Sequence, residues 1–392
     1  MAGSRFSQPG YQILDYRPEQ KSLFQVKIKI GFYVMKIAQI TSSYFPHIGG
    51  VETHVNKISE LLAEKGHEVT ILTTDSSGKL PSIETIRGVK VIRFNSLAVG
   101  GFSFFPEGFI QYLKQNSKNF DILHAQGYTS MASFYAARAK SSNKFVFTPH
   151  YFGKGSTAFR TFLHVPYTFF GKKIFDKADA ILSTSEYEKN LVHHDFGVDL
   201  RRITIIPNGV SLNDFSRNEK NKHDGRIIIY VGRLEKFKGV DYAIKALPYL
   251  DQDIKLEIVG DGSYYASLVK IAKKLGVADR VIFFGGNLSK KEIFRKYANA
   301  DLAILLSKHE CFGLTIAEAL ASGTACIVAN TTALTEWVDN KNCFGTHYPI
   351  DIKELVCLIN ATIGKPVNDP KLVDWNDVVD RIIRVYVRGN TY

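Results

Sequence analysis

From Met35 onward, short apolar runs alternate with amphipathic stretches. Runs of strand length fall at 35–41, 67–74, 89–94, 121–126, 144–150, 180–185 and 203–207. Helical periods fill most of the gaps. The clearest spans 51–65, where Val51, Val55, Ile58, Leu61 and Leu62 share one face and Gly66 stops the helix. The strands are continuously apolar (Lys144-Phe145-Val146-Phe147 is an example), as in a parallel sheet covered on both faces. A polar stretch, Ser216 to Gly225, then interrupts the pattern. Alternation restarts with strands at 226–232, 255–260, 281–285, 301–306 and 325–329.

The pattern predicts two consecutive α/β domains: 35–215, a linker at 216–225, and 226–375. In both, strands end in glycine-rich turns, and ligands of doubly wound sheets sit beyond the carboxyl ends of strands. Two such domains facing each other would enclose a cleft. An amphipathic segment begins at Trp375, with Val378, Val379, Ile382, Ile383 and Tyr386 on one side. A helix over 376–392 packs either on its own domain or back on the first. Residues 1–34 mix Gly, Pro, Gln and charge without a period, and read as a poorly ordered extension ahead of a working start at Met35.

Composition narrows the class. A chain of 392 residues exceeds what one core usually organises. No apolar run approaches the ~20 residues of a membrane-spanning helix, and the N-terminus lacks a signal-peptide layout. The four cysteines are widely spaced, with no zinc pattern, and read as reduced thiols in a cytoplasmic protein. The net charge of +12 is uneven: residues 1–222 hold 28 Lys+Arg against 18 Asp+Glu, and 223–392 hold 22 against 20. A basic first half suits an anionic membrane surface or acceptor, or is a solvated face. No recognisable nucleic-acid module accompanies it.

Five segments carry candidate chemistry. Glu310-Cys311-Phe312-Gly313-Leu314-Thr315 leads from a strand into a helix that holds Glu318. Free amides at a helix start suit an anion, while two carboxylates beside it suit sugar and ribose hydroxyls. Gly232-Arg233 closes an apolar strand, with Lys238 five residues on; two cations there can clamp a diphosphate and stabilise charge on a leaving group. Gly49-Gly50 precedes the first helix and offers backbone amides to a phosphate. Thr148-Pro149-His150 ends a strand, and its histidine is placed to reach a sugar hydroxyl or shuttle a proton. Asn208-Gly209 lies where the chain crosses between domains. Singly, each has a plainer reading: a solvated helix carboxylate, a lysine-rich surface turn, a tight glycine turn, a structural histidine, a turn dipeptide. No G-x-G-x-x-G occurs, which disfavours a dinucleotide oxidoreductase.

Taken in order, GGVETHV at 49–55, TPH at 148–150, IPNGV at 206–210, GRLEKFKG at 232–239, VGDG at 259–262 and ECFGLTIAEALASG at 310–323 resemble retaining glycosyltransferases of family 4. The resemblance covers residues 35 to 340 and implies the GT-B fold: two Rossmann-like domains, an acceptor domain and a nucleotide-sugar donor domain. It implies metal-independent transfer from a UDP- or GDP-sugar, with no other cofactor, to an acceptor hydroxyl on a glycan or a lipid-linked molecule. By the same resemblance, Arg233 and Lys238 hold the diphosphate and Glu318 the ribose. Glu310 contacts the transferred sugar, and Phe312, Gly313, Leu314 and Thr315 its phosphate and hydroxyls through their amides. Gly50, beside Gly49, lies against the phosphate, and His150 meets the sugar near the reacting carbon. Asn287 and Leu288 border the base, and Asn208 and Asp261 line the cleft.

The sequence departs at Leu288-Ser289, where the family usually shows Gly-x-Val-x, so the base stays open between uracil and guanine. Aromatic, partly basic segments at 100–109 and 151–170 suggest a lipid-linked acceptor at the cytoplasmic face of a membrane. The alternatives are a sugar-nucleotide epimerase or a catalytically idle sugar-nucleotide-binding subunit.

Overall fold

A computed structural model describes residues 33–47, 49–99, 102–104, 107–153, 169–212 and 225–388. Nearly all of the expected extension and linker, and most of the two aromatic segments, lie outside the described residues.

Two mostly parallel sheets carry the fold. The first orders its strands β10-β9-β8-β7-β1-β2-β4-β3. These are β1 (Lys36–Ile40), β2 (Glu68–Asp75), β3 (Ile83–Ile86), β4 (Val89–Asn95), β7 (Ile122–Gln126), β8 (Lys144–Thr148), β9 (Ala180–Ser183) and β10 (Ile203–Ile205). Only β3 runs antiparallel to its neighbour, and a small hairpin pairs β5 (Leu97–Val99) with β6 (Phe102–Phe104). The second sheet runs β13-β12-β11-β14-β15-β16, all parallel. It comprises β11 (Arg226–Val231), β12 (Ile254–Val259), β13 (Val281–Phe283), β14 (Leu302–Leu305), β15 (Cys326–Ala329) and β16 (Cys343–Thr346). Its order is the 3-2-1-4-5-6 of a doubly wound nucleotide-binding sheet, and the first sheet repeats that reversal around β1. The two switch points therefore lie between β1 and β7 and between β11 and β14, where the candidate segments at 49–50, 233–238 and 310–315 emerge.

The apolar runs became the buried centres of the sheets. Ile37, Ala38 and Ile40 of β1 and Leu256 and Ile258 of β12 have no exposed surface. The first helix, Gly50–Glu64, buries Val55, Ile58 and Leu62. Those side chains pack with Trp375, Val378, Val379 and Ile382 of the closing helix, Trp375–Val387. That helix therefore docks on the first domain although it follows the second. A bridge between Val210 and Asp374 marks the crossing. Farther along the helix, Lys65 pairs with Asp380 at 2.9 Å and the Lys144 ammonium donates to the Val385 carbonyl at 2.6 Å. Burying each large apolar side chain of that stripe contributes about 1.5–3 kcal/mol.

Local details differ from the periodicity. Strand β8 stops at Thr148, so His150 lies two residues past its end, in the left-handed region at φ 49°. Lys238 does not begin a helix: it closes a 3-10 turn over Lys236–Lys238, and the helix starts at Val240. Gly239, at φ 71°, separates them, and a Cβ there would sit 2.2 Å from the Leu306 carbonyl oxygen. Strands β3 and β16 escaped the apolar pattern. β3 is a half-exposed edge (Ile-Glu-Thr-Ile), and β16 holds a glycine among four residues.

Candidate active site

The second domain presents two loops side by side at its switch point. Lys308 N–H donates to the Phe237 carbonyl at 2.8 Å, tying the turn after β11 to the loop after β14. This brings the Lys238 ammonium to 2.5 Å from Glu310 Oε1, with both side chains mostly buried. Arg233 stays exposed on the same turn: its carbonyl accepts from the Tyr230 hydroxyl at 2.8 Å, while its guanidinium makes no hydrogen bond or ion pair among the described residues. A short, partly desolvated ion pair thus sits on the loop that leads into the helix Leu314–Ala321, beside the turn that carries Arg233.

That helix starts without a side-chain cap. Its N-cap is Gly313 at φ 89°, where a Cβ would lie 2.9 Å from Leu334 Cδ2. The first intrahelical donors are Ile316 and Ala317, which reach the Gly313 carbonyl, so the amides of Leu314 and Thr315 point outward with the positive end of the helix dipole. The loop before it is braced from behind. Glu310 N–H donates to Thr332 Oγ1 at 3.1 Å, and the Trp337 indole donates to the Phe312 carbonyl at 2.6 Å.

Glu318 sits one turn into the helix, beside Lys290, Phe294 and Leu314. Burial raises its pKa to about 7, and Lys290 opposes that rise. The cavity it lines is completed by the first domain: Thr53 and Lys57 from the first helix, Gly209 to Ser211 from the crossing, and Trp375 from the closing helix. Leu314, Glu318 and the helix that holds Lys290 and Phe294 therefore face the first helix across a shared cavity.

On the first-domain side, Gly50 opens its helix with open space where a Cβ would go. His150 Nε2 stands 3.0 Å from Gln126 Oε1, an acceptor, so Nε2 carries the proton and Nδ1 keeps a lone pair. Burial, then the neighbouring His54 and His124, hold the His150 pKa well below its usual value, so the ring is neutral. His54 packs edge-on to it at 5.1 Å and donates from Nδ1 to Asn208 Oδ1 at 2.7 Å. Burial lowers the His54 pKa to about 4.

Behind His150 runs a buried polar chain. Gln126 Nε2 donates to Gln39 Oε1 at 3.1 Å, and Gln39 Nε2 donates to the Tyr386 hydroxyl at 3.1 Å. His124 lies 2.7 Å from that hydroxyl and 2.8 Å from Thr148 Oγ1. Tyr386 belongs to the closing helix, so the last helix of the chain supports a histidine on the cleft.

Asp261 accepts from Gly286 N–H at 2.7 Å and so locks the turn after β12 to the turn after β13. Asn287 is exposed beyond it, and Leu288 packs on the second core. Ser289 then caps the helix Lys290–Asn299 in a capping box with Glu292. The unusual Leu288-Ser289 is thus an apolar anchor followed by a helix cap.

With the two domains, the switch-point loops and the facing helix starts in place, comparison with known proteins is decisive. Residues 48–214 match the model of Glycosyltransferase Family 4, and residues 213–371 match that of Glycosyl transferases group 1. The chain belongs to the family 4 glycosyltransferases. It is an enzyme of the GT-B fold. A glycogen synthase of Mycobacterium tuberculosis is 28% identical, over 90% of this chain and 94% of the relative. An alpha-monoglucosyldiacylglycerol synthase of Streptococcus pneumoniae is 26% identical, over 85% and 79%. Among solved structures, the Anabaena protein HepE in complex with UDP-glucose superposes with a TM-score of 0.72 at 19% identity, covering 90% of this chain and 99% of that one.

Sequence reading alone missed His54, Gln126, Gln39 and Tyr386. A signal existed for His54, which lies four residues after Gly50 on the same helix face. Tyr386 carried none, because its partner His124 lies 262 residues away in the chain.

Proposed function

We propose that this glycosyltransferase moves a sugar from a nucleotide-diphosphate-sugar to an acceptor hydroxyl with retention of anomeric configuration and without a metal. The observation that carries the reading is the Lys238–Glu310 pair at 2.5 Å beside the outward amides of Leu314 and Thr315. A diphosphate approaching Lys238 and Arg233 would meet two cations and a helix N-terminus, which together stabilise the charge that develops on the leaving nucleotide. Drawing Lys238 toward phosphate frees the Glu310 carboxylate to accept from sugar hydroxyls. Glu318 accepts from the ribose. His150, neutral and held by Gln126, offers a hydrogen-bonding edge to the transferred sugar. Gly50, with no side chain, leaves room for the phosphate, and Asn287 and Leu288 border the base.

The HepE complex makes UDP-glucose the first donor to try, with GDP-mannose beside it. Isothermal titration with each, in EDTA, tests the reading. Saturable binding lost in Arg233→Ala supports it; binding that appears only when divalent cation is restored contradicts metal independence. The anomeric configuration of the product, read by proton NMR, tests retention.

A lipid-linked acceptor at the cytoplasmic face of a membrane is favoured by one observation. On the helix at 169–177, Phe169 is 60% exposed with the Lys173 ammonium 4.0 Å from its ring, and Lys172 is exposed beside it. An exposed aromatic with an ammonium on its face and a second lysine next to it in sequence suits anionic headgroups. The name of the Streptococcus pneumoniae relative fits a lipid acceptor. Among the described residues no helix is long and apolar enough to cross a membrane. Flotation with anionic vesicles, lost in Lys172→Glu/Lys173→Glu, is the expected result, and no flotation at low salt counts against it.

A further inference from the structure

The 3-10 segment Thr332–Trp337 touches both domains. One side braces the donor loop through Thr332 and Trp337, as described above. From the other side Glu336 reaches the helix Glu186–Phe196 of the first domain. Its Oε1 accepts from Tyr187 N–H at 2.7 Å and its Oε2 from Glu186 N–H at 3.2 Å. The third amide, of Glu188, goes to the helix's own cap, Ser185. The second domain therefore supplies acceptors for two N-terminal amides that the first domain leaves unpaired, at the positive end of a helix dipole.

The captured helix start is wired to the catalytic side. The buried Glu188 carboxylate accepts from Tyr151 N–H at 2.6 Å and from Thr184 N–H at 2.7 Å, and Tyr151 directly follows His150. Thr184 Oγ1 also donates to the Cys311 carbonyl at 3.2 Å, inside the donor loop. Phe152 and His309 meet across the same gap, ring centroids 6.2 Å apart. Glu336 keeps an exposed face, although burial around its carboxylate raises its pKa and the two amides oppose that rise, so the two bonds can still break and re-form against water.

We infer that Glu336 is a positioning residue: it latches the second domain onto the helix Glu186–Phe196 and so sets the reach between the donor loop and His150. It touches no reacting atom. Its effect passes through Thr332 and Trp337 on one side and through Glu188 and Tyr151 on the other. The inference rests on the glycosyl-transfer reading for its kinetic consequence, but the latch itself is a property of the fold.

The test compares wild type, Glu336→Ala and Glu336→Gln. UDP-glucose and GDP-mannose are the probes, with donor consumption, donor Kd and small-angle X-ray scattering at saturating donor as readouts. In the alanine variant, turnover is expected to fall at least about tenfold while Kd changes less than about threefold, because the donor loop keeps Thr332 and Trp337. The radius of gyration is expected to rise above that of wild type. The glutamine variant, which keeps one acceptor oxygen, is expected to fall between the two. Equal turnover and equal scattering in all three proteins overturn the latch. A wild type that consumes no donor of a wider sugar-nucleotide panel, candidate acceptors present, overturns the transfer reading instead, and the scattering comparison, run without donor, then decides the latch alone.

Discussion

Glu318 gives a sharp pH prediction. Burial raises its pKa to about 7, so its charge changes within the range where proteins are handled. A ribose hydroxyl donates, and the carboxylate accepts better than the acid. Donor binding therefore favours ionised Glu318 and must weaken as pH falls through 7. With a pKa of about 7, the ionised fraction is roughly nine-tenths at pH 8 and one-tenth at pH 6, so Kd should rise about tenfold across that interval, close to 1.4 kcal/mol. An unperturbed glutamate stays ionised throughout and would give a flat profile. The cleft histidines do not interfere: His54 is held to about 4 and His150 well below its usual value, so both are neutral from pH 6 to 8. Isothermal titration with an intact nucleotide sugar is the right assay, because a free nucleotide's terminal phosphate titrates near pH 6 and would add its own slope. Glu318→Gln should bind more weakly at pH 8 and show no slope. A flat wild-type profile, or an equal slope in the variant, refutes the role given to this carboxylate.

Two further substitutions test the supports. Gly313→Ala places a Cβ 2.9 Å from Leu334 Cδ2 at a left-handed φ of 89°, so it should distort the donor loop and abolish donor binding while the circular-dichroism spectrum stays native. Tyr386→Phe removes the hydroxyl 2.7 Å from His124 and 3.1 Å from Gln39, leaving buried groups unpaired. It should cost about 1–3 kcal/mol by denaturant unfolding and lower turnover more than donor affinity, since His150 is the far end of that chain.

The architecture was legible because its cause is local. Apolar runs of strand length alternating with amphipathic periods can bury themselves only as sheets covered on both faces, and the strands found there differ from the periodicity by a residue or two at their ends. Pairing order is not local, yet the glycine-rich turns at 49–50, 232 and 260–262 showed where strands hand over to ligand loops. Terminal geometry was harder to read. Whether Lys238 opens a helix or closes a 3-10 turn depends on Gly239 lying against the Leu306 carbonyl, a contact across 67 residues. Thr148-Pro149-His150 put a histidine at a strand end, but nothing in it tells that Gln126 accepts its proton. The residues that hold the two domains in register were hidden altogether. Glu336 looks like a surface glutamate in a loop until the helix start at Glu186 is placed against it.

This cleft is expected to consume a nucleotide sugar through the Lys238–Glu310 pair. The most direct measurement is release of UDP or GDP from a panel of sugar nucleotides, in EDTA, by wild type and Glu310→Ala. Slow hydrolysis of one donor by wild type, unaffected by EDTA and lost at least a hundredfold in the variant, is the predicted result (roughly 2.7 kcal/mol of transition-state stabilisation). Equal release by wild type and variant would contradict the role of Glu310, and no release from any donor even with candidate acceptors present would contradict the claim itself.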